Sequence, residues 1–328
     1  MKIDIHTHIM PEHMPNWTQK FGYGEFIHLE HRNCEACMMK GDKLFRVVED
    51  NCFKADIRLN EMDETDVTVQ VLSTIPVLFN YWAKATDGLE TSRFFNDHIA
   101  ETISKNPKRF IGLGTVPLQN IDLAIIEMER CIKKLKMPGL EIGSNINGEN
   151  LSDKKFFPFY EAAERLNCAL FVHPWEMMGE TQMEKYWLPW LVGMPAETSR
   201  AICSMIFGGV FTSFPKLRVA FAHGGGSFPF TLGRIEHGFD VRPDLVAVDN
   251  STSPKDYIGK FWVDSLVHDK KAMEFLLDLI GEDNICVGSD YPFPLGEERP
   301  GRLIEKMKLG KKITNKLLYK NAMKWLNG

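Results

Sequence analysis

The sequence predicts an α/β protein of the (β/α)8 TIM-barrel type, and three observations carry that reading. Eight short β-branched or apolar runs recur along the chain. Segments of helical periodicity lie between them. Side chains of metal-ligand type fall where several of the runs finish, as they do at the catalytic face of such barrels.

The first run is Met1-Lys2-Ile3-Asp4-Ile5-His6-Thr7-His8. Side chains alternate along a strand, so His6 and His8 point the same way and can grip one ion. Residues 9–55 follow as a long connection, read as a small insertion that roofs the active site. Runs at 67–72, 110–114 and 139–142 supply the second to fourth strands, and 169–172, 218–222, 261–264 and 284–287 the last four. Helical patterns fill 121–136, 156–167 and 269–280, with Pro and Gly at most boundaries, as in Met137-Pro138-Gly139. A second long connection, 174–196, is also expected over the barrel mouth. An open doubly wound sheet is the alternative architecture. It would want Gly-x-Gly-x-x-Gly after an early strand, and Gly224-Gly225-Gly226 is late and wrongly spaced. Residues 1–328 therefore read as one barrel domain.

Composition narrows the function classes. The chain is 44% hydrophobic and 25% charged, with a net charge of −5 and no basic block, so nucleic acid is not an expected partner. The longest near-apolar run, 201–211, falls far short of the roughly 20 residues that span a bilayer, so no membrane span is expected. Lys2 and Asp4 interrupt the start, against a signal peptide, and seven scattered cysteines suit reduced thiols in the cytosol. Cys34-Glu35-Ala36-Cys37 lacks a second ligand pair, so it reads as incidental cysteines in a polar loop, 30–41.

The strand ends carry the chemistry. His173 ends the fifth strand, His223 the sixth and Asp290 the eighth. Taken singly, either His reads as a hydrogen-bonded structural group and Asp290 as a turn cap. On one rim with His6 and His8 they read as a metal site, because structural accidents need not share a face. His13, His28, His31, His98 and His268 lack this placement and read as surface or structural groups.

This order of ligands resembles the amidohydrolase superfamily. Longer strings are similar to its 2-amino-3-carboxymuconate-6-semialdehyde decarboxylase branch: Phe45-Arg46-Val47-Val48, Tyr186-Trp187-Leu188-Pro189-Trp190, Phe221-Ala222-His223-Gly224-Gly225-Gly226 and Asp290-Tyr291-Pro292-Phe293-Pro294. The similarity runs along essentially the whole chain. It implies that His6, His8, His173 and Asp290 hold one divalent ion per chain, zinc in preference to manganese, with a water completing the site and no organic cofactor. It implies His223 as the acid/base partner of that water, in the non-oxidative decarboxylation of the branch's substrate within tryptophan breakdown by the kynurenine route. The substrate is a small dicarboxylate, so cationic clamps are required, and similarity nominates Arg46, Arg234 and Arg242. Arg234 is expected to reach the neighbouring subunit's site in a homodimer. Trp190, Met177 and Phe293 are the expected apolar wall.

Two rival readings stand beside it. A hydrolase on the same barrel would bridge two metals from the fourth strand, which has no lysine but does carry Glu141. An inactive relative serving as a binding protein would be expected to have lost a ligand, and none is missing. Ser289 stands where the family commonly has Thr, which keeps the hydroxyl.

Overall fold

All eight predicted runs form strands of a single sheet in the computed structural model, which describes residues 1–32 and 35–328. They are β1 (Ile3–His8), β2 (Val69–Ser73), β3 (Phe110–Gly114), β4 (Gly139–Gly143), β5 (Ala169–His173), β6 (Arg218–Phe221), β7 (Trp262–Asp264) and β8 (Ile285–Cys286). Each pairs in parallel with the next. The Ile5 N–H donates to Val287 O at 2.9 Å and the Asp290 N–H to His6 O at 2.9 Å, so the last strand returns to the first and closes the barrel. Closure leaves no sheet edge to protect.

Helices surround the sheet: α1 (Ala55–Glu64), α2 (Ala85–Lys105), α3 (Ile121–Lys133), α4 (Phe157–Arg165), α5 (Met194–Phe207), α6 (Phe228–Val241), α7 (Lys270–Ile280) and α8 (Asn321–Asn327). Their starts are written locally. The Asn120 side chain accepts from the Leu123 N–H, and that of Asp269 from Lys271 and Ala272, which satisfies first-turn donors of α3 and α7. The pattern predicted over 121–136 stops at Lys133, because Lys136 takes a positive φ (59°) two residues before Pro138.

Alternation in the strands builds two cores. Leu140, Ile142, Leu170, Val172, Val219 and Phe221 belong to a large cluster with Met128, Phe159, Ile202 and Met205 from the helices. Phe171, between Leu170 and Val172, belongs instead to a cluster with Ile5, Val71, Ala220 and Trp325 of α8. Its ring lies 4.9 Å from that of His6 and 6.1 Å from that of Trp325, so this cluster forms the floor under the strand-end histidines.

The connection 9–55 holds a three-stranded antiparallel sheet, Ile27–Arg32, Glu35–Lys40 and Lys43–Val48. This corrects the reading of 30–41 as a polar loop. Cys37 pairs with Glu30 and is buried, with Ala36, Met38 and Met39 beside it, while Cys34 lies outside the described residues. Both faces of that short strand are covered, so the alternation that would announce a strand is absent. Ala36, Met38 and Val48 pack with Met10, which follows β1, and with Ile75, Val77 and Leu78, which follow β2. That contact ties the insertion to the barrel end where the histidines emerge.

Candidate active site

Three imidazoles are held in one tautomer by groups that can only accept. His6 Nδ1 lies 2.7 Å from Asp264 Oδ2, His8 Nδ1 is 2.9 Å from Thr74 O, and His173 Nδ1 is 2.9 Å from Pro174 O. Each acceptor requires a proton on Nδ1 and leaves the Nε2 lone pair free to ligate. Those lone pairs converge. His6 Nε2 and His8 Nε2 are 3.2 Å apart, and Asp290 Oδ1 is 3.3 Å from the first and 3.1 Å from the second. One ligand atom from each of His6, His8, His173 and Asp290 fits within 4.8 Å of the others. His173 Nε2 is buried without a hydrogen-bond partner. Four converging donors, one of them orphaned, fit a divalent cation with imidazole and carboxylate ligands.

The electrostatics agree. Burial opposes charge on His6, yet its hydrogen bonds to Asp264 and Asp290 outweigh that and lift its pKa to about 10. Burial pushes His8 and His173 down, so both stay neutral. Asp290 is held well below the usual carboxylate range, the histidines around it outweighing its desolvation. The cluster therefore favours one positive charge at its centre, which without an ion is a second proton on His6 Nε2 that a bound cation would replace.

Backbone geometry brings these groups together. The His8 N–H donates to Tyr291 O at 2.7 Å, so the end of β1 is bonded to the turn that carries Asp290. Asp4 is buried below and accepts from the backbone N–H of His6 and of Ser289 as well as from the Ser289 hydroxyl. That bond uses the hydroxyl that Ser289 keeps. Gly288 permits the convergence: a Cβ there would lie 2.6 Å from that of Asp264 and 2.9 Å from that of His6. Asp290 and His223 both take positive φ, 59° and 57°, the kind of backbone conformation that gathers at functional sites.

His223 Nε2 lies 3.8 Å from Asp290 Oδ2, and its Nδ1 is buried without a partner. His8, His173 and Asp290 line a pocket walled by Phe45, Arg46, Trp175, Trp190 and Phe293. Arg46 sits among rings, 4.8 Å from Phe293 and 5.5 Å from Trp190. Burial draws its guanidinium below the usual value against the field of Asp290. Met177 is buried but lines a neighbouring cavity that shares Phe45, Trp175 and Trp190 with this one. Neither Arg234 nor Arg242 lines the pocket of a single chain, and Arg242 is paired with Asp244 at the surface.

Two positioning residues escaped the sequence reading. Asp264 ends β7, and only its rank as a seventh strand end could have flagged it. Arg58, fully buried on α1, donates from Nη1 to His8 O at 2.7 Å and lies 4.6 Å over the Tyr291 ring. In sequence it is one charged residue on a polar helix. Glu141 is buried with its carboxyl raised well above the usual range by desolvation. Its Oε1 is 3.6 Å from His8 Nδ1, on the ring edge turned away from the cluster.

Comparisons with known proteins agree with this geometry. Residues 3–328 match the amidohydrolase family model. A 2-amino-3-carboxymuconate-6-semialdehyde decarboxylase of Dictyostelium discoideum is 56% identical over 99% of this chain and 91% of its own length. One of Caenorhabditis elegans is 39% identical over 99% of this chain and 94% of its own. The fold is shared with a 5-carboxyvanillate decarboxylase of Novosphingobium aromaticivorans solved with bound manganese, at a TM-score of 0.82 and 20% identity, covering 99% of this chain and 97% of that one. The chain belongs to the amidohydrolase family, in its 2-amino-3-carboxymuconate-6-semialdehyde decarboxylase branch.

Proposed function

We propose that this chain converts 2-amino-3-carboxymuconate 6-semialdehyde into 2-aminomuconate 6-semialdehyde and carbon dioxide. The observation that carries the reading is the convergence of His6, His8, His173 and Asp290 beneath an apolar pocket that, among the described residues, Arg46 lines as its one Lys or Arg. When bound, a divalent ion supplies Lewis acidity and a fixed positive point for an anionic substrate. Zinc suits three imidazoles and one carboxylate, and manganese is the second choice.

The chain's own groups account for the rest. The bond from the substrate carbon to its carboxylate breaks, its electron pair enters the conjugated system, and a proton must reach carbon. His223 Nε2, beside Asp290, is the group to hold and deliver that proton. Arg46 offers a bidentate partner for the carboxylate that stays. Trp190 and Phe293 stack against the planar substrate. The six cysteines described are all free thiols, in keeping with a cytosolic setting, and no helix among the described residues is long and apolar enough to cross a membrane.

A homodimer completes the reading. Arg234 is exposed on α6, one turn beyond Phe230, which is 86% exposed. Residues four apart share a helix face, so an interface that covers Phe230 carries Arg234 with it. The hydrolase alternative needs a second ion at Glu141, and Glu141 faces the wrong edge of His8. A spectrophotometric assay with freshly generated substrate, with and without chelator, tests the activity, and no chelator-sensitive loss of substrate absorbance overturns it. Full activity in a verified monomer overturns the donation of Arg234.

A further inference from the structure

The Asp264 carboxylate does more than hold His6. It is fully buried at the end of β7, and both of its oxygens are used. Oδ2 accepts from His6 Nδ1 at 2.7 Å and from the His223 N–H at 2.9 Å. Oδ1 accepts from the N–H groups of Gly224 at 2.8 Å and Leu266 at 3.1 Å. His223 and Gly224 lie consecutively in the left-handed region, with φ of 57° and 61°. Successive N–H groups in such a turn can converge on an anion, and here the anion is Asp264.

We propose that Asp264 is the positioning residue that couples the two halves of the site. Its charge fixes the tautomer of His6, and its bonds to the left-handed turn fix the backbone that aims His223. The inference rests on the reading of His6 as a metal ligand and His223 as the acid/base group. It singles out Asp264 for a specific reason. His8 and His173 are oriented by the main-chain carbonyls of Thr74 and Pro174, which no side-chain substitution replaces. His8 Nδ1 also meets the Ser73 hydroxyl at 3.3 Å, but it keeps the nearer Thr74 carbonyl, whereas the acceptor described at His6 Nδ1 is the Asp264 carboxylate.

The consequence of removing the charge follows from counting donors. Four N–H groups face Asp264, and a carboxylate has an oxygen for each pair. Asp264→Asn keeps one oxygen and puts an NH2 in place of the other. Turned toward Gly224 and Leu266, that NH2 meets two donors and the turn loosens. Turned toward His6, it must donate to Nδ1, which moves the imidazole proton to Nε2 and blocks the metal-facing lone pair.

The test uses zinc alone and the full-length protein. In competition with a chromophoric chelator, D264N is expected to bind zinc 10- to 100-fold more weakly than the parent, the usual cost of losing a partner behind a metal-bound His. At saturating zinc its kcat should fall while KM holds, because Asp264 does not line the substrate pocket. Unchanged zinc affinity together with unchanged kcat overturns the proposal. Should D264N not fold, the zinc-loaded parent labelled with 15N-histidine answers instead. The His6 proton is expected on Nδ1 and shifted downfield, and a proton on Nε2 overturns it. Zinc affinity and tautomer are read without substrate, so a parent inactive toward the proposed substrate would sink the functional reading and leave Asp264 still to be judged by these two measurements.

Discussion

The guanidinium of Arg46 lies 4.8 Å over the ring of Phe293, and among the described residues no carboxylate is ion-paired with it. A largely buried cation held by aromatic faces rather than by an anion is poised for an anionic ligand. Arg46→Met keeps the apolar volume and removes the charge. KM is expected to rise by about 10- to 100-fold, the worth of one charge-assisted hydrogen-bonded contact, with a smaller change in kcat. Steady-state kinetics of the variant decide it, and an unchanged KM removes Arg46 from the substrate site.

Chelation should abolish turnover, and zinc or manganese should restore it. Elemental analysis of the purified chain is expected to give one ion each, from the single cluster of His6, His8, His173 and Asp290 found among the described residues. Two ions per chain would favour the hydrolase.

Glu141→Gln separates the same alternatives by mutation. Desolvation already keeps this carboxyl neutral, so an isosteric amide should leave the metal count at one and stability within about 1 kcal/mol. Loss of an ion in the variant would make Glu141 a ligand.

His223→Ala should lower kcat by roughly 100- to 10,000-fold, the range for a removed general acid/base, while metal content stays at the parent's level. Substantial activity in a fully metallated variant would remove His223 from the proton path.

His98, on α2, makes a pH prediction for stability. Burial pushes its pKa down from 6.5 to about 4, and its Nδ1 has no hydrogen-bond partner. The unfolded chain therefore binds a proton below pH 6.5 that the folded chain refuses until about pH 4. Stability is full above the first value and falls as pH drops toward the second, by about 3 kcal/mol at 1.36 kcal/mol per pH unit. Urea melts of the parent and His98→Gln across that window should differ in slope, and parallel curves would refute the assignment.

The barrel was legible because strand and helix periods are written repeatedly, and parallel strands buried on both faces become apolar runs. The cluster of His6, His8, His173 and Asp290 was legible because imidazoles and a carboxylate sit at strand ends. What was not legible depends on contacts far apart in sequence. In the strand Glu35–Lys40, Ala36 and Met38 are covered by residues that follow β1 and β2 while Cys37 and Met39 are buried on the other face, so its own pattern does not alternate. Asp264 looks like any aspartate until β1 and β6 bring His6 and the His223 turn to it. Met177, expected in the pocket wall, lines the adjoining cavity instead. Arg234 and Arg242 were nominated by similarity, and neither lines the pocket of the chain described, Arg242 being paired with Asp244 at the surface.

Closure of the barrel also has a bearing on biosynthesis. Asp4 clasps Ser289 across 285 residues of sequence, and His6 and Asp290 of the candidate metal cluster flank that clasp. A nascent chain that has already extruded His6 and His8 still lacks the carboxylate and the neighbouring backbone until Asp290 has left the ribosome. An ion held by this cluster would therefore be a late acquisition, taken up only by chains already long enough to close. Truncated translation products should bind zinc weakly, which limits competition between incomplete and finished molecules for the ion.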